Sequence, residues 1–471
     1  MARRWHESGY LRVPPGENEL ETRLLAPIME TGRSFYVTVT VLATIVVFAL
    51  FAWLYQYFQG LGVTGLNRPV FWGFYITNFV FFIGISHAGT LISAILRLCH
   101  AEWRRSITRS AEVITVLVLF FGVINVLVDL GRPDRALNIL RHAHFTSPLL
   151  WDVTSIATYL TASSIYLYLP LIPDIALIRD RLKERARMGR RISDLRLKFY
   201  EALALGWTGS EAQKHVIERA IAFMAVLVIP IAISVHTVVA WVFAMTIQPM
   251  WHSTIFGPYF VAGAIFSGIA ALIIAMAVIR KVYHLENYLR PVHFKNLGAL
   301  LLVMTSLWLY FTFAEYLTSY YGGEPAHMMV FWEKVAGRYA PYFWSMVAFC
   351  FVVPFAALLR LKTRTIGKTV IASISVVIGM WLERFTIVVP TLINPRLDYE
   401  RGFYIPSWVE ISITAGCFAC FILFYVIFTK LFPIVSVWEV REGQDHAVTE
   451  TATRIKSYLP ETATRDNDAI A

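Results

Sequence analysis

The sequence is poor in charge and in cysteine. Asp, Glu, Lys and Arg supply 16% of its 471 residues, where soluble globular chains carry about 25%. That deficit excludes a protein wetted on all sides. Four cysteines, Cys99, Cys350, Cys417 and Cys420, imply no disulfide framework. The last two form CFAC within an apolar run. No second CxxC and no adjacent His completes a metal site, so no metal ligands are assigned. A haem-attachment CxxCH and a dinucleotide-binding βαβ fingerprint are both missing. Neither a haem nor an iron–sulfur cluster is therefore expected to be held by this chain. No cleavable signal is expected either: residues 1–34 are polar, with Arg3, Arg4, Arg12, Arg23 and Arg33, so the first apolar run reads as an internal anchor.

What the sequence has in abundance is hydrophobicity, 57% of its residues. Several runs exceed the roughly 18 apolar residues needed to cross a hydrocarbon core of about 30 Å. Ten spans are predicted, near 35–58, 70–98, 110–130, 151–169, 220–247, 255–280, 297–320, 341–360, 367–389 and 410–432, giving an all-α integral membrane protein. The connecting segments alternate in charge. Residues 1–34, 97–109, 170–219, 280–296, 360–368 and 430–471 hold 33 of the 42 Lys and Arg. The positive-inside rule then places both termini in the cytoplasm. The net charge of +10 is read in this way, with no nucleic-acid partner. Five segments follow: a cytoplasmic N-terminal segment (1–34), spans one to four (35–169), a basic cytoplasmic loop (170–219), spans five to ten (220–432) and a cytoplasmic tail (433–471). The loop is expected to be solvated and partly helical, lying on the membrane surface, with binding of a partner or of anionic headgroups as the alternative.

An internal repeat is visible. Gly73, Tyr75, Phe82, Gly84 and Ile85 of span two align without gaps on Gly257, Tyr259, Phe266, Gly268 and Ile269 of span six. SPLLWD at 147–152 and APYFWS at 340–345 begin spans four and eight. The reading is two four-helix bundles, spans 2–5 and 6–9, arranged as parallel repeats and flanked by spans 1 and 10. His87 aligns with Ala271 and Asp152 with Ser345, so the first bundle keeps ionisable groups that the second lacks there.

Ionisable groups inside a span are expensive and mark a functional site by default. His87 sits mid-way in span two, within GISHAGT. Asp129 ends span three, Asp152 begins span four and His236 lies in span five, somewhat further out than His87. Glu315 is in span seven, Glu383 and Arg384 in span nine. By this count they fall in the outer half of the bilayer, and the inner half is nearly free of charge. Asp129 could instead pair with Arg132 or Arg135, and Asp152 could serve a helix dipole. Each His could be a core residue bonding a neighbouring helix's carbonyl, or the two could be axial ligands of a haem. Arg384 is expected to pair with an acid on another helix, because adjacent residues point apart.

Gly84, Ser86, Ala88 and Gly89 leave room beside His87 for a flat ligand or a close helix. Trp72, Phe74, Tyr75 and Trp151 add aromatic walls. A quinol suits such a site: its oxidation removes two electrons and two protons, and His and Asp can accept the protons. His87 and Asp152 are the expected catalytic bases. Asp129, His236, Arg384, Trp151 and Glu315 are expected to bind quinol or relay protons. Proton movement across the membrane stays open. A secondary transporter is a rival reading, although Pro230 and Pro354 are not paired interruptions. A purely structural anchor is another.

LGRP at 130–133, SPLLWD and GISHAGTLISAIL resemble the NrfD/polysulfide-reductase membrane-subunit family over roughly residues 70–390. The SHAGTLISA stretch is most similar to the larger NrfD-like membrane component of alternative complex III. The resemblance implies a multi-pass subunit of the bacterial inner membrane that binds menaquinol or ubiquinol and holds no redox cofactor. It implies quinol oxidation near the periplasmic side, with His87 and Asp152 at the quinol. The implied partners are c-type cytochrome subunits, a periplasmic iron–sulfur subunit, a second NrfD-like subunit and lipid. The same resemblance allows an alternative, the quinone-reactive anchor of a molybdenum or polysulfide-type reductase.

Overall fold

The computed structural model describes residues 19–87, 89, 92–189, 192–396 and 400–444. They form helices α1 (Glu19–Met29), α2 (Arg33–Gln59), α3 (Phe74–His87), α4 (Ser93–Leu98), α5 (Thr108–Asp129), α6 (Asn138–Arg141), α7 (Pro148–Arg187) and α8 (Asp194–Leu203). These continue into α9 (Glu211–Ala244), α10 (Phe256–Val282), α11 (Pro291–Gly322), α12 (Pro325–Val335), α13 (Ala340–Val347), α14 (Val353–Leu358), α15 (Ile366–Ile393) and α16 (Trp408–Leu431). Among the described residues there is no strand. Backbone polar groups in hydrocarbon must be satisfied within the segment, and helices achieve that.

Among the described residues, nine helices are long and apolar enough to cross a membrane, counting α13–α14 as one. The remaining expected span, 70–98, is carried by α3 and α4. Gly89 and Ile92 between them lie in wide, π-type turns. The eighth span contains a second such stretch, Ala348–Val352, ahead of Pro354. The chain is a multi-pass membrane protein. The basic loop is more regular than expected: α7 runs on to Arg187, and α8 and the start of α9 take up most of the remainder.

The helices form two groups. α3, α5, α7 and α9 pack together, as do α10, α11, α13–α14 and α15, and α2 pairs with α16 along the outside. The groups meet through α3 and α9 against α10, and through α3 against α15. Lipid is as apolar as leucine, so close approach of backbones drives helix association in membranes. The α2–α16 contact shows it: a Cβ on Gly416 would stand 2.1 Å from the Cβ of Ala49.

One face of the molecule gathers α1, the α4–α5 turn, α8 and the described C-terminal residues. This is the basic face. Glu21 of α1 pairs there with Arg181, at 2.7 Å, and with Arg441.

Candidate functional site

His87 closes α3, which is buried from Tyr75 onward because α5, α9, α10 and α15 surround it. Its ring is fully buried. Nε2 donates to the Ala232 carbonyl of α9 at 2.5 Å, which leaves Nδ1 of the neutral ring as an acceptor. His236 lies one turn beyond Ala232, on the same face of α9. The His236 ring stands 3.8 Å from the His87 ring, centroid to centroid, tilted by 62°. Tyr159 of α7 covers the other side at 5.5 Å. Its hydroxyl donates to the Ser86 carbonyl at 3.1 Å, and Thr115 of α5 donates to the same carbonyl at 2.7 Å.

Sequence spacing puts His236 further out than His87, yet the structure holds both rings at one depth and in contact. Axial haem ligands must face each other across an iron. Rings in mutual contact leave no gap for one. His87 does what a core histidine does, bonding a neighbouring helix's carbonyl. His236 does not: it is fully buried, and neither ring nitrogen has a hydrogen-bond partner among the described residues. A buried polar group left unpaired costs about 1–3 kcal/mol. One ring is anchored, and the other has its bonding capacity unspent.

Arg384 is the third member. Its side chain is 1% exposed and Nη1 lies 3.1 Å from Glu383 Oε2. The expected partner on another helix is thus replaced by its own neighbour. Trp308 Nε1 donates to Glu383 Oε1 at 2.7 Å and helps hold the carboxylate in place. The guanidinium stands over the Phe260 ring at 4.6 Å. Small residues make its room: a Cβ on Gly263 would lie 2.8 Å from Nη2, and one on Gly84 3.9 Å from it. Gly84 and His87 are three residues apart on α3 and share a face. Arg384 therefore reaches from one helix group to the seam beside the histidine pair, and neither Nη makes a hydrogen bond among the described residues.

The other expected residues are distributed around this centre. Asp152 is buried, with Oδ1 unpartnered. It precedes Tyr159 by seven residues, which puts it on the same face of α7 and about 10 Å along the axis. Trp151 turns to the preceding loop, Nε1 donating to the Phe145 carbonyl at 2.6 Å. Asp129 ends α5 in a separate cluster. There Tyr75 donates to Gln56 at 2.5 Å, Gln56 to the Val128 carbonyl at 3.1 Å, and Tyr404 to Glu410 at 2.7 Å. Arg132 pairs not with Asp129 but with Asp134, at 2.9 Å. Glu315 accepts from Ser253 Oγ. It lines a small cavity with Lys334, Tyr259, Tyr316 and Glu383. Burial in α12 pushes the Lys334 ammonium down to about 8, partly offset by Glu315. Trp72 stacks on Trp251 at 6.0 Å, near the start of α3 and well away from His87. Ala88 lies outside the described residues.

The inner half is not free of charge. Glu112 of α5 is 2% exposed and accepts from Ser93 Oγ at 2.7 Å. Ser93 also meets the Tyr166 hydroxyl at 3.2 Å. Near the basic face, buried Arg109 is bonded to Asp174, and buried Glu439 to Arg104 and to the partly exposed Arg97. The signal for Glu112 was available, since TRSAEVITVLVLFF places an acid inside an apolar run. Its closeness to Arg109 disguised it as part of a charged helix end.

The chain is 26% identical to the membrane subunit of a putative dimethyl sulfoxide reductase of Halobacterium salinarum, over 80% of this chain and 86% of that one. It is 25% identical to a subunit of the selenate reductase of Mesobacillus selenatarsenatis, over 84% and 93%. It is 22% identical to the Hdr-like menaquinol oxidoreductase integral membrane subunit of Archaeoglobus fulgidus, over 87% and 95%. Residues 62–395, the stretch from just before α3 to just after α15, match the profile described as Polysulphide reductase, NrfD. The two helix groups around the histidine pair thus belong to a chain that is a member of the NrfD polysulphide-reductase family.

Proposed function

We propose that this chain is the quinone-reactive membrane subunit of a reductase-type oxidoreductase complex. It takes electrons from quinol in the bilayer and hands them to a redox centre on a partner subunit. One observation carries the reading. Among the described residues, His236 is fully buried beside His87 with both ring nitrogens unpartnered, at a seam that Arg384 enters with Nη1 ion-paired to its neighbour Glu383 and neither Nη hydrogen-bonded. Quinol offers two hydroxyls and quinone two carbonyls. His236, together with Nδ1 of His87, whose contact with Ser86 Oγ is a long 3.5 Å, matches the first, and the guanidinium matches the second. Oxidising quinol breaks two O–H bonds, and imidazole is a competent acceptor for each proton. Asp152, two turns along the same face of α7 from Tyr159, is the next carboxylate towards the far side.

The named relatives are subunits of dimethyl sulfoxide, selenate and menaquinol enzymes. They favour a molybdenum-type reductase or menaquinol oxidoreductase over alternative complex III, which the ten spans, the long basic loop and SHAGTLISA suggest. A reductase consumes electrons, so its membrane subunit must draw them from quinol. The partners are then a catalytic subunit and an iron–sulfur subunit. The basic face is cytoplasmic by its charge, which puts both termini inside a prokaryotic cell membrane. A transporter would show breaks at corresponding places in its two repeats. Here the breaks fall in the second and eighth spans, which are not equivalent.

The test is His236→Phe in the complete complex. It keeps the ring's bulk and removes both nitrogens. Quinol-dependent reduction is expected to fall by roughly 10²–10⁴, the usual worth of a positioned acid–base group. Reduction driven by an artificial donor to the partner subunits should stay unchanged. Wild-type quinol turnover in the variant would sink the assignment.

A further inference from the structure

We infer that Glu112 is the proton-transfer group joining the His87–His236 pair to the basic face, so that protons of the quinone reaction are exchanged there. The inference rests on the quinone reading above and adds to it a direction and a residue. The observations are buried hydroxyl and carboxyl groups spaced at helical turns between the histidine pair and the basic face, in two hydrogen-bonded groups. Next to His87, the Ser86 carbonyl collects the hydroxyls of Thr115 and Tyr159 at 2.7 and 3.1 Å. Glu112 lies one turn from Thr115 on the same face of α5. Tyr166 lies two turns from Tyr159 on the same face of α7. Ser93 ties the two together, at 2.7 Å from Glu112 and 3.2 Å from Tyr166. One further turn of α5 brings Thr108, whose hydroxyl lies 3.5 Å from Glu439 Oε2. Glu439 is held by Arg97 and Arg104, and Arg97 is partly open to solvent.

Packing gives no reason for Glu112. It forms no ion pair among the described residues, and its hydrogen bond is to a serine. A carboxylic acid in an apolar helix is expensive to keep. Thr108 and Thr115 lie about 10 Å apart along α5. That short distance is filled with hydroxyls and one carboxyl. In the balanced step, quinol loses two electrons to the partner's redox centre and two protons to the histidine pair. The protons then leave one at a time through the Glu112 carboxyl towards the basic face.

The experiment uses the complete complex in liposomes, with a pH dye on each side and quinol as donor. Wild type is expected to release protons on the basic face. Glu112→Gln keeps the shape and the bond from Ser93 but cannot carry a proton. It should cut turnover at least tenfold, while displacement of a bound quinone analogue shifts by less than twofold. Glu112→Asp should restore a measurable part of the rate. If the Gln variant does not assemble, the pair Ser93→Ala and Tyr166→Phe replaces it, with the same expected loss. Same-face release at the wild-type rate in Glu112→Gln or the replacement pair overturns the inference, and so does release on the opposite face alone. Either result leaves quinone binding standing. A wild-type complex that neither binds the analogue nor oxidises quinol overturns the quinone reading itself.

Discussion

A glycine next to the histidine shows how tightly the site is built. Gly89 follows His87 by two residues, and a Cβ there would lie 1.9 Å from both the Ala111 carbonyl oxygen and Thr115 Oγ1. The first of these is helix backbone and cannot yield cheaply. The small residues of GISHAGT read from sequence as room for a ligand or a close helix; at Gly89 the occupant is α5, and at Gly84, where a Cβ would lie 3.4 Å from Ser267 Oγ, it is α10 and the Arg384 guanidinium. Gly89→Ala should therefore separate α3 from α5 and break the Thr115–Ser86 bond. Overpacking of this kind typically costs about 1–3 kcal/mol or more. The expected result is a marked drop in assembled complex and in its melting temperature. An Ala variant as stable as wild type would mean that α5 slides freely. His87 was legible because a lone ionisable side chain in an apolar run is conspicuous. Its pairing with His236 was not, because helix depth estimated from span ends carries errors of several residues.

At the scale of the element, the C-terminal residues 433–444 are more than a tail. Residues 437–444 are helical. The backbone N–H groups of Val437 and Trp438 donate to Asp174 at 3.0 and 3.1 Å, and Trp438 Nε1 donates to the Pro170 carbonyl at 2.9 Å. Glu439 sits among Arg97, Arg104 and Arg109. Burial alone would raise its carboxyl, but the three guanidiniums outweigh it and hold it below the usual carboxylate range. A lowered carboxylate contributes stability above its unfolded value, near 4.5, and loses that contribution as pH falls through the folded value. Glu439→Gln should thus lower the melting temperature at pH 7. Removing one member of a buried ion pair costs about 3–5 kcal/mol. The gap between variant and wild type should close on acidification. A pH-independent gap would assign the loss to packing. From sequence this segment reads as a polar tail because its charges look solvated. Only the fold shows that Arg97, Arg104 and Arg109 of the first helix group meet it there.

Across the whole molecule, the spans were legible because hydropathy is enforced by the bilayer along every crossing. The division of labour between the two helix groups was less so. Loss of His87 and Asp152 equivalents suggests a silent second group, yet that group contributes Arg384 to the seam and gathers Glu315, Glu383 and Lys334 around its own cavity. These residues come from α11, α15 and α12, so no sequence window contains them together. Lys334 gives that arrangement a global readout. Its ammonium is held down to about 8 by burial, whereas an unfolded lysine titrates near 10.4. Between those values the unfolded chain binds more protons than the folded one, so this group makes stability rise with pH. Below about 8 the folded protein carries a buried charge at full cost. Lys334→Met keeps the stem and removes the charge. In detergent, the variant complex should melt above wild type at pH 7, and the difference should shrink steadily towards pH 10. A variant that melts lower at every pH would show instead that Glu315 depends on the ammonium, and that the two act as a pair whose attraction exceeds the cost of burying them.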